Sequence, residues 1–191
     1  MIMFKTPPSA TPRSVLVTSA TAGAAIAVVL AILGGKAISA QDKYAVQVPN
    51  GLALSEFRGY EDWQTVAVSQ AGDLIEVILA NPVMIDAYRA GVPGNGRNFP
   101  DGSKMAKIHW KTKKSAEAPA PTTVPDILHD IDFTARDSRR FPDTGKWGYA
   151  QFNYDAASDA FTPDGTGANC GYACHTIVTA KDYIFTAYPK R

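Results

Sequence analysis

The sequence predicts an α+β domain, a mainly antiparallel β-sheet with a few short helices packed against it. Three observations point there. Runs of seven or eight residues alternate apolar and polar side chains, as Trp63-Gln64-Thr65-Val66-Ala67-Val68-Ser69 and Trp147-Gly148-Tyr149-Ala150-Gln151-Phe152-Asn153-Tyr154 do, and that period of two belongs to strands with one packed face. Clusters of Gly, Pro, Asn and Asp punctuate the runs at hairpin spacing. The chain lacks the regular strand-helix alternation that would build a parallel sheet, and no internal repeat is evident.

Residues 1–40 read as a segment apart from this domain. Lys5 and Arg13 form a positive flank, Val15 to Gly35 is uncharged and rich in small apolar residues, and Ala37-Ile38-Ser39-Ala40 supplies small side chains for a signal peptidase. Two fates fit: an export signal that is cleaved, or a membrane anchor that stays, since the stretch is about long enough to span a bilayer as a helix. Both deliver residues 41–191 outside the cytoplasm, to the periplasm, where thioether or disulfide chemistry is allowed. About 150 residues suffice for one domain with its own core. A formal net charge of +1 leaves no basic footprint for nucleic acid.

Taken in order, Leu54 to Tyr60 is expected as a lead-in helix and Trp63 to Ser69 as the first strand, with a turn over Gln70 to Gly72. Asp73 to Leu79 is a second strand, which stops at Asn81-Pro82. Pro82 then opens a short helix whose buried side is Val83, Ile85, Ala87 and Tyr88, ended by Gly91. Gly91 to Gly102 is an irregular loop without a phosphate-binding pattern. Ser103 to Lys111 returns to strand, with Met105, Lys107 and His109 on one face and Lys104, Ala106, Ile108 and Trp110 on the other. Thr112 to Pro125, with its lysines and prolines, is a flexible surface excursion. Strand resumes over Ile127 to Arg136 and again over Trp147 to Tyr154; Asp155 to Gly167 is loop, and Asp182 to Tyr188 is a last strand or helix. The total is five or six strands.

The chemistry-bearing stretch is Cys170-Gly171-Tyr172-Ala173-Cys174-His175, which holds the only two cysteines of the chain. A c-type haem site is written CxxCH, with two thioethers and an adjacent histidine on the iron. Here three residues separate the cysteines, and the second still precedes its histidine directly. The residues alone leave three chemistries open: a haem c site, a short-loop disulfide beside an unrelated histidine, or a zinc site lacking two ligands. Three Trp, eight Tyr and eight Phe are enough aromatic material to wall an apolar pocket, or simply to fill a core.

Five stretches in succession carry a resemblance. Asn81-Pro82 with Ala87-Tyr88, Phe99-Pro100-Asp101-Gly102 with Lys107, Arg136-Asp137-Ser138-Arg139-Arg140-Phe141, Trp147-Gly148-Tyr149, and Cys170 to His175 with Asp182-Tyr183-Ile184-Phe185-Thr186 together resemble the cytochrome P460 family. The resemblance implies one covalently attached haem c on the sheet domain, and a function among small nitrogen compounds. The family includes hydroxylamine-oxidising enzymes and the β-type cytochromes c′, which bind gases such as nitric oxide. Carried over by position, Cys170 and Cys174 are the thioether attachments and His175 is the proximal iron ligand. In the oxidising members a lysine six residues after the Phe-x-Asp-Gly aspartate is cross-linked to the haem; counting from Asp101, it is Lys107. The carboxylate that handles protons over the open face of the iron aligns with Asp132. From the residues alone, Lys107 is an ordinary strand lysine and Asp132 a solvated carboxylate.

Two departures accompany the match, the longer cysteine spacing and Glu76 in the place of an arginine found in the distal pocket of some members. Tyr172 is expected against the haem edge. His109 and His129 are read as surface or core histidines, not as a sixth iron ligand. The resemblance thus leaves two functions, an oxidase of hydroxylamine that passes electrons to an exported redox partner, and a gas-binding or electron-carrying cytochrome. A haem-free domain with a Cys170–Cys174 disulfide is the third reading. Family members are commonly dimers, so a homodimer is expected by resemblance.

Overall fold

A computed structural model describes residues 43–49, 51–164 and 167–191. The chain divides into Met1–Ala40 and Gln41–Arg191. The expected export signal or anchor falls on the first unit, outside the described residues. Among those described, no helix is long and apolar enough to cross a membrane.

The second unit is built on six strands: β1 (Gln64–Ala71), β2 (Leu74–Ala80), β3 (Lys104–Lys114), β4 (Thr123–Arg136), β5 (Trp147–Asp155) and β6 (Ala160–Pro163). Each pairs antiparallel with its neighbour in the chain, giving the order β1-β2-β3-β4-β5-β6. Two helices pack against this meander, α1 (Pro82–Arg89) and α2 (Gly167–His175), with short 3-10 turns at Leu54–Phe57, Tyr60–Asp62 and Thr176–Lys181. The fold class is therefore the expected one.

Register fixes what each face carries. One set of cross-strand rows is Val77-Ile108-Ile131-Phe152 and Leu79-Ala106-Phe133-Ala150. These apolar side chains form a core covered by the N-terminal residues Val48, Leu52, Leu54, Phe57 and Tyr60. Phe57 stacks on Phe133 at 4.1 Å between ring centroids. Phe57, Phe133 and Phe152 are fully buried, each contributing on the order of 2–3 kcal/mol by removal from water. Rows on the opposite face are Ile78-Lys107-Asp132-Gln151 and Glu76-His109-Asp130-Asn153. That face turns from polar to apolar at Ala80, Met105, Trp147 and Tyr149, where α1 and the C-terminal segment cover it.

Helix α1 starts where Asn81 caps it. The Asn81 side-chain oxygen accepts from the N–H groups of Met84 (3.1 Å) and Lys104 (3.0 Å), and its amide donates to the Gly102 carbonyl (2.8 Å). One side chain thereby closes the helix and ties it to the head of β3.

Several expectations change. Val83, expected on the buried side of α1, is 42% exposed, and Met84 takes its place beside Ile85, Ala87 and Tyr88. β3 and β4 run on to Lys114 and Thr123, so the surface excursion shrinks to the tip between them. The extension lies beyond the core, where both faces meet water and no apolar alternation marks it; Pro125, opposite Thr112, sits beside a register shift, the place a strand tolerates proline. The loop after Asp155 contains the short edge strand β6. Finally, Asp182 to Tyr188 is neither strand nor helix: Asp182 (φ 52°) and Tyr183 (φ 64°) are left-handed, which breaks any regular element there.

Candidate functional site

Helix α2 carries the cysteine-histidine motif and lies across β5. Its close approach depends on Gly171, because a Cβ there would meet the Tyr149 Cβ at 2.4 Å. Positions 170 and 174 are one helical turn apart, so the extra residue between the cysteines keeps both on one side of the helix. Cys174 is an exposed free thiol; the Cys170 side chain lies outside the described residues.

His175 ends α2. Its Nδ1 lies 2.5 Å from the Tyr183 carbonyl oxygen, an acceptor only, so Nδ1 carries the proton and Nε2 is the nitrogen left for a metal. Burial holds its pKa below the ordinary histidine value, with the charge of Lys107 adding to this and the Tyr183 carbonyl opposing it. This favours the neutral imidazole, the form able to ligate a metal. It packs between Tyr149 and Phe185, at 4.7 and 4.8 Å between centroids.

The Tyr183 carbonyl is itself fixed by its neighbour. Asp182 accepts from the Phe99 N–H at 2.8 Å and pairs with Arg136 Nη1 at 3.1 Å, both side chains buried. Burial pushes the Asp182 carboxyl up from its ordinary value, and Phe99 and Arg136 oppose it. Tyr172 packs against Tyr183 at 5.6 Å between rings.

Between this segment and the polar sheet face lies a cavity of about 570 Å³. Glu76, Ile78, Met105, Lys107, Asp132 and Thr134 line the sheet side, and His175, Ile184 and Phe185 the other. A smaller cavity of about 200 Å³ brings in Tyr149, Gln151, Gly171 and Cys174 and shares Asp132 and His175 with the first. Lys107 and Asp132 are directly opposite each other across β3 and β4. The structure thus brings together Lys107, Asp132, Cys174 and His175, which the sequence separates widely.

The electrostatics of the wall are set by pairs. Lys107 Nζ lies 2.9 Å from Glu76 Oε1, and the Ser69 hydroxyl donates to Glu76 Oε2 at 2.5 Å. Burial would raise the Glu76 carboxyl, yet the Ser69 hydroxyl and the Lys107 ammonium outweigh it and hold the pKa below normal. Asp132 goes the other way, up to about 6, chiefly by burial, with the charges of Asp130 and Glu76 adding and those of His109 and Lys107 opposing.

His109 is the residue that sequence reasoning undervalued. It is buried on the Lys107 face, its Nδ1 hydrogen-bonded to Asp130 and its Nε2 3.5 Å from Glu76 and 3.9 Å from Asp132. The alternation of β3 put it on the correct face; its partners required the register of β2 and β4.

The sequence pattern of the cytochrome P460 family matches residues 57–186. The chain belongs to the cytochrome P460 family. No curated protein matches it. Membership makes it a haem c protein, and the cytochrome P460 sheet domain is the one described above. The residues fit that cofactor. An apolar wall of Ile78, Met105, Ile184 and Phe185 faces a cavity of ligand-binding size, a neutral imidazole presents one free nitrogen to it, and a free thiol stands one residue before that imidazole.

Proposed function

We propose that this cytochrome P460 family protein is exported to the periplasm, where it binds one haem c and oxidises hydroxylamine or a related small nitrogen compound. The observation that carries this reading is that Lys107 and Asp132 share one cavity wall, opposite His175. In it, Cys170 and Cys174 form the thioethers and His175 Nε2 holds the iron. The bound haem supplies an iron that takes the substrate's electrons and passes them to an exported redox partner.

The chain's own residues do the rest. Tyr183 fixes the His175 tautomer. Ile78, Met105, Ile184 and Phe185 narrow the cavity to small molecules and keep it poor in water. Asp132, with a pKa of about 6, is suited to take a proton from the substrate near neutral pH and give it up again. Lys107 would be the residue that bonds the ring edge, with its amine paired to Glu76 at 2.9 Å.

A second reading keeps a specific observation on its side. Lys107 Nζ is engaged by Glu76 at 2.9 Å, a partner that competes with a bond to the ring, as in a gas-binding cytochrome with no cross-link. Mass and ferrous absorption spectrum of protein from a host that attaches haem c in its periplasm separate the two. Mature chain plus one haem, less the hydrogens lost to a third covalent bond, with a Soret band far to the red, supports the oxidase. Haem with an ordinary Soret band supports gas binding, and a mass without haem ends both.

A further inference from the structure

A chain of four ionisable side chains leads from the cavity to the surface. Asp132 Oδ2, in the cavity wall, is 3.9 Å from His109 Nε2. His109 Nδ1 is hydrogen-bonded to Asp130 Oδ1, and the other oxygen of that carboxylate, Oδ2, is hydrogen-bonded to His129 Nδ1. The side chains of His109 and Asp130 are 7% and 5% exposed, whereas that of His129 is 42% exposed. The two middle members are buried, and the two ends, Asp132 at 40% exposed and His129 at 42%, reach the cavity and the solvent. We propose that His109, Asp130 and His129 form a relay that carries protons between the Asp132 carboxylate and bulk water.

This rests on the reading of Asp132 as the group that takes the substrate's proton. A base that a bound haem covers turns over only if its proton leaves. Transfer is redox-neutral and balances at each step. The O–H bond at Asp132 breaks as His109 Nε2 gains the proton, and the N–H bond at His109 Nδ1 breaks as Asp130 gains one. Asp130, once its carboxyl turns over, delivers that proton to His129, which releases it to water. The 3.9 Å gap is longer than a hydrogen bond and is closed by one bridging water or a small turn of the Asp132 carboxyl.

The surroundings favour a proton on His109. Burial works against charging it, and the hydrogen bond to Asp130 with the charges of Asp132 and Asp130 outweighs that, so its pKa lies above the ordinary value; Lys107 opposes. Glu76 on β2 faces the same Nε2 at 3.5 Å. The charged and titratable groups around the relay are Glu76 from β2, Lys107 from β3, and His175 and Asp164, which share a cavity with Asp132. The same cluster has donors enough for a cation, but the Lys107 ammonium at 2.9 Å from Glu76 already places a positive charge there.

The test uses the haem-loaded full chain in its ferrous carbon monoxide form, whose C–O stretch reports the charge of the nearby carboxylate. A band shift titrating near pH 6 and absent in Asp132→Asn is expected. After a microsecond laser-released proton pulse in dilute buffer, His129→Ala and His109→Gln should re-equilibrate about tenfold more slowly than wild type. Added imidazole should restore His129→Ala, whose site is 42% exposed. If Asp132→Asn keeps the band shift, the Asp132 reading falls and the relay with it. If the shift disappears but both histidine variants relax like wild type, the relay alone is overturned.

Discussion

The carbonyl oxygen of Tyr183 lies 2.5 Å from Nδ1 of His175, eight residues earlier in the chain, and the residue before Tyr183, Asp182, is tied to Phe99 and Arg136. Because Asp182 and Tyr183 are left-handed, the chain doubles back under the imidazole. The proton on His175 is therefore assigned by a backbone carbonyl.

Asp182→Ala should release this arrangement. It leaves the buried Arg136 only its longer 3.8 Å pairing to Asp101 and the Phe99 N–H without its acceptor, a loss of about 3 kcal/mol. Urea unfolding of the variant should show it. Haem retention should fall as well, since the Tyr183 carbonyl is no longer positioned; full stability would show that the clamp is incidental.

Gly171→Ala places a methyl group 2.4 Å from the Tyr149 Cβ, which belongs to the strand and cannot swing aside. The helix must lift from β5, at about 1–3 kcal/mol. His175 rides on that helix, so haem loading per chain should drop more than stability does. Unchanged loading with a normal melting temperature would show that the contact yields easily.

Asp132 has a folded-state pKa of about 6 against an ordinary 3.8. The folded state therefore binds more protons than the unfolded state between those values, and stability falls as pH rises through that window. Asp132→Asn removes the cost. With 40% of the side chain exposed, solvent screening reduces the effect to about 1 kcal/mol of stabilisation at pH 7, vanishing below pH 4. Urea titrations at both pH values check the sign, and the same variant should lose turnover.

Asn81→Ala removes the helix cap and the two further hydrogen bonds to Lys104 and Gly102. The expected loss is about 1–2 kcal/mol, measurable by thermal unfolding, with the spectrum of the bound haem unchanged because Asn81 is outside the cavity wall.

Legibility in the sequence followed the packing. Trp147 to Tyr154 reads as a strand because one face is wholly buried, and the alternation in β3 already placed Lys107 with His109 and Met105. The outer ends of β3 and β4 were illegible, since strands that project past the core keep no apolar period. β6 is a short edge strand, and its Thr162 and Pro163 look like loop. The tail was misread because its shape is dictated by Arg136, Phe99 and His175, all distant in sequence. Lys107, Asp132 and His175 were reachable through family resemblance, but Glu76 as the partner of Lys107, and His109 with Asp130 and His129, become visible only once β2, β3 and β4 are in register.

Strand neighbours in the sheet are also neighbours in the chain, so every ladder closes over a short stretch of polypeptide. The platform bearing Lys107 and Asp132 needs no pairing from residues beyond Pro163, while His175 and the Tyr183 carbonyl that orients it both follow that point. Chain order thus separates two tasks in time. A newly made polypeptide can assemble its receiving surface before the cysteine-histidine segment arrives, and docking of that last segment is the step that converts a sheet into a cytochrome.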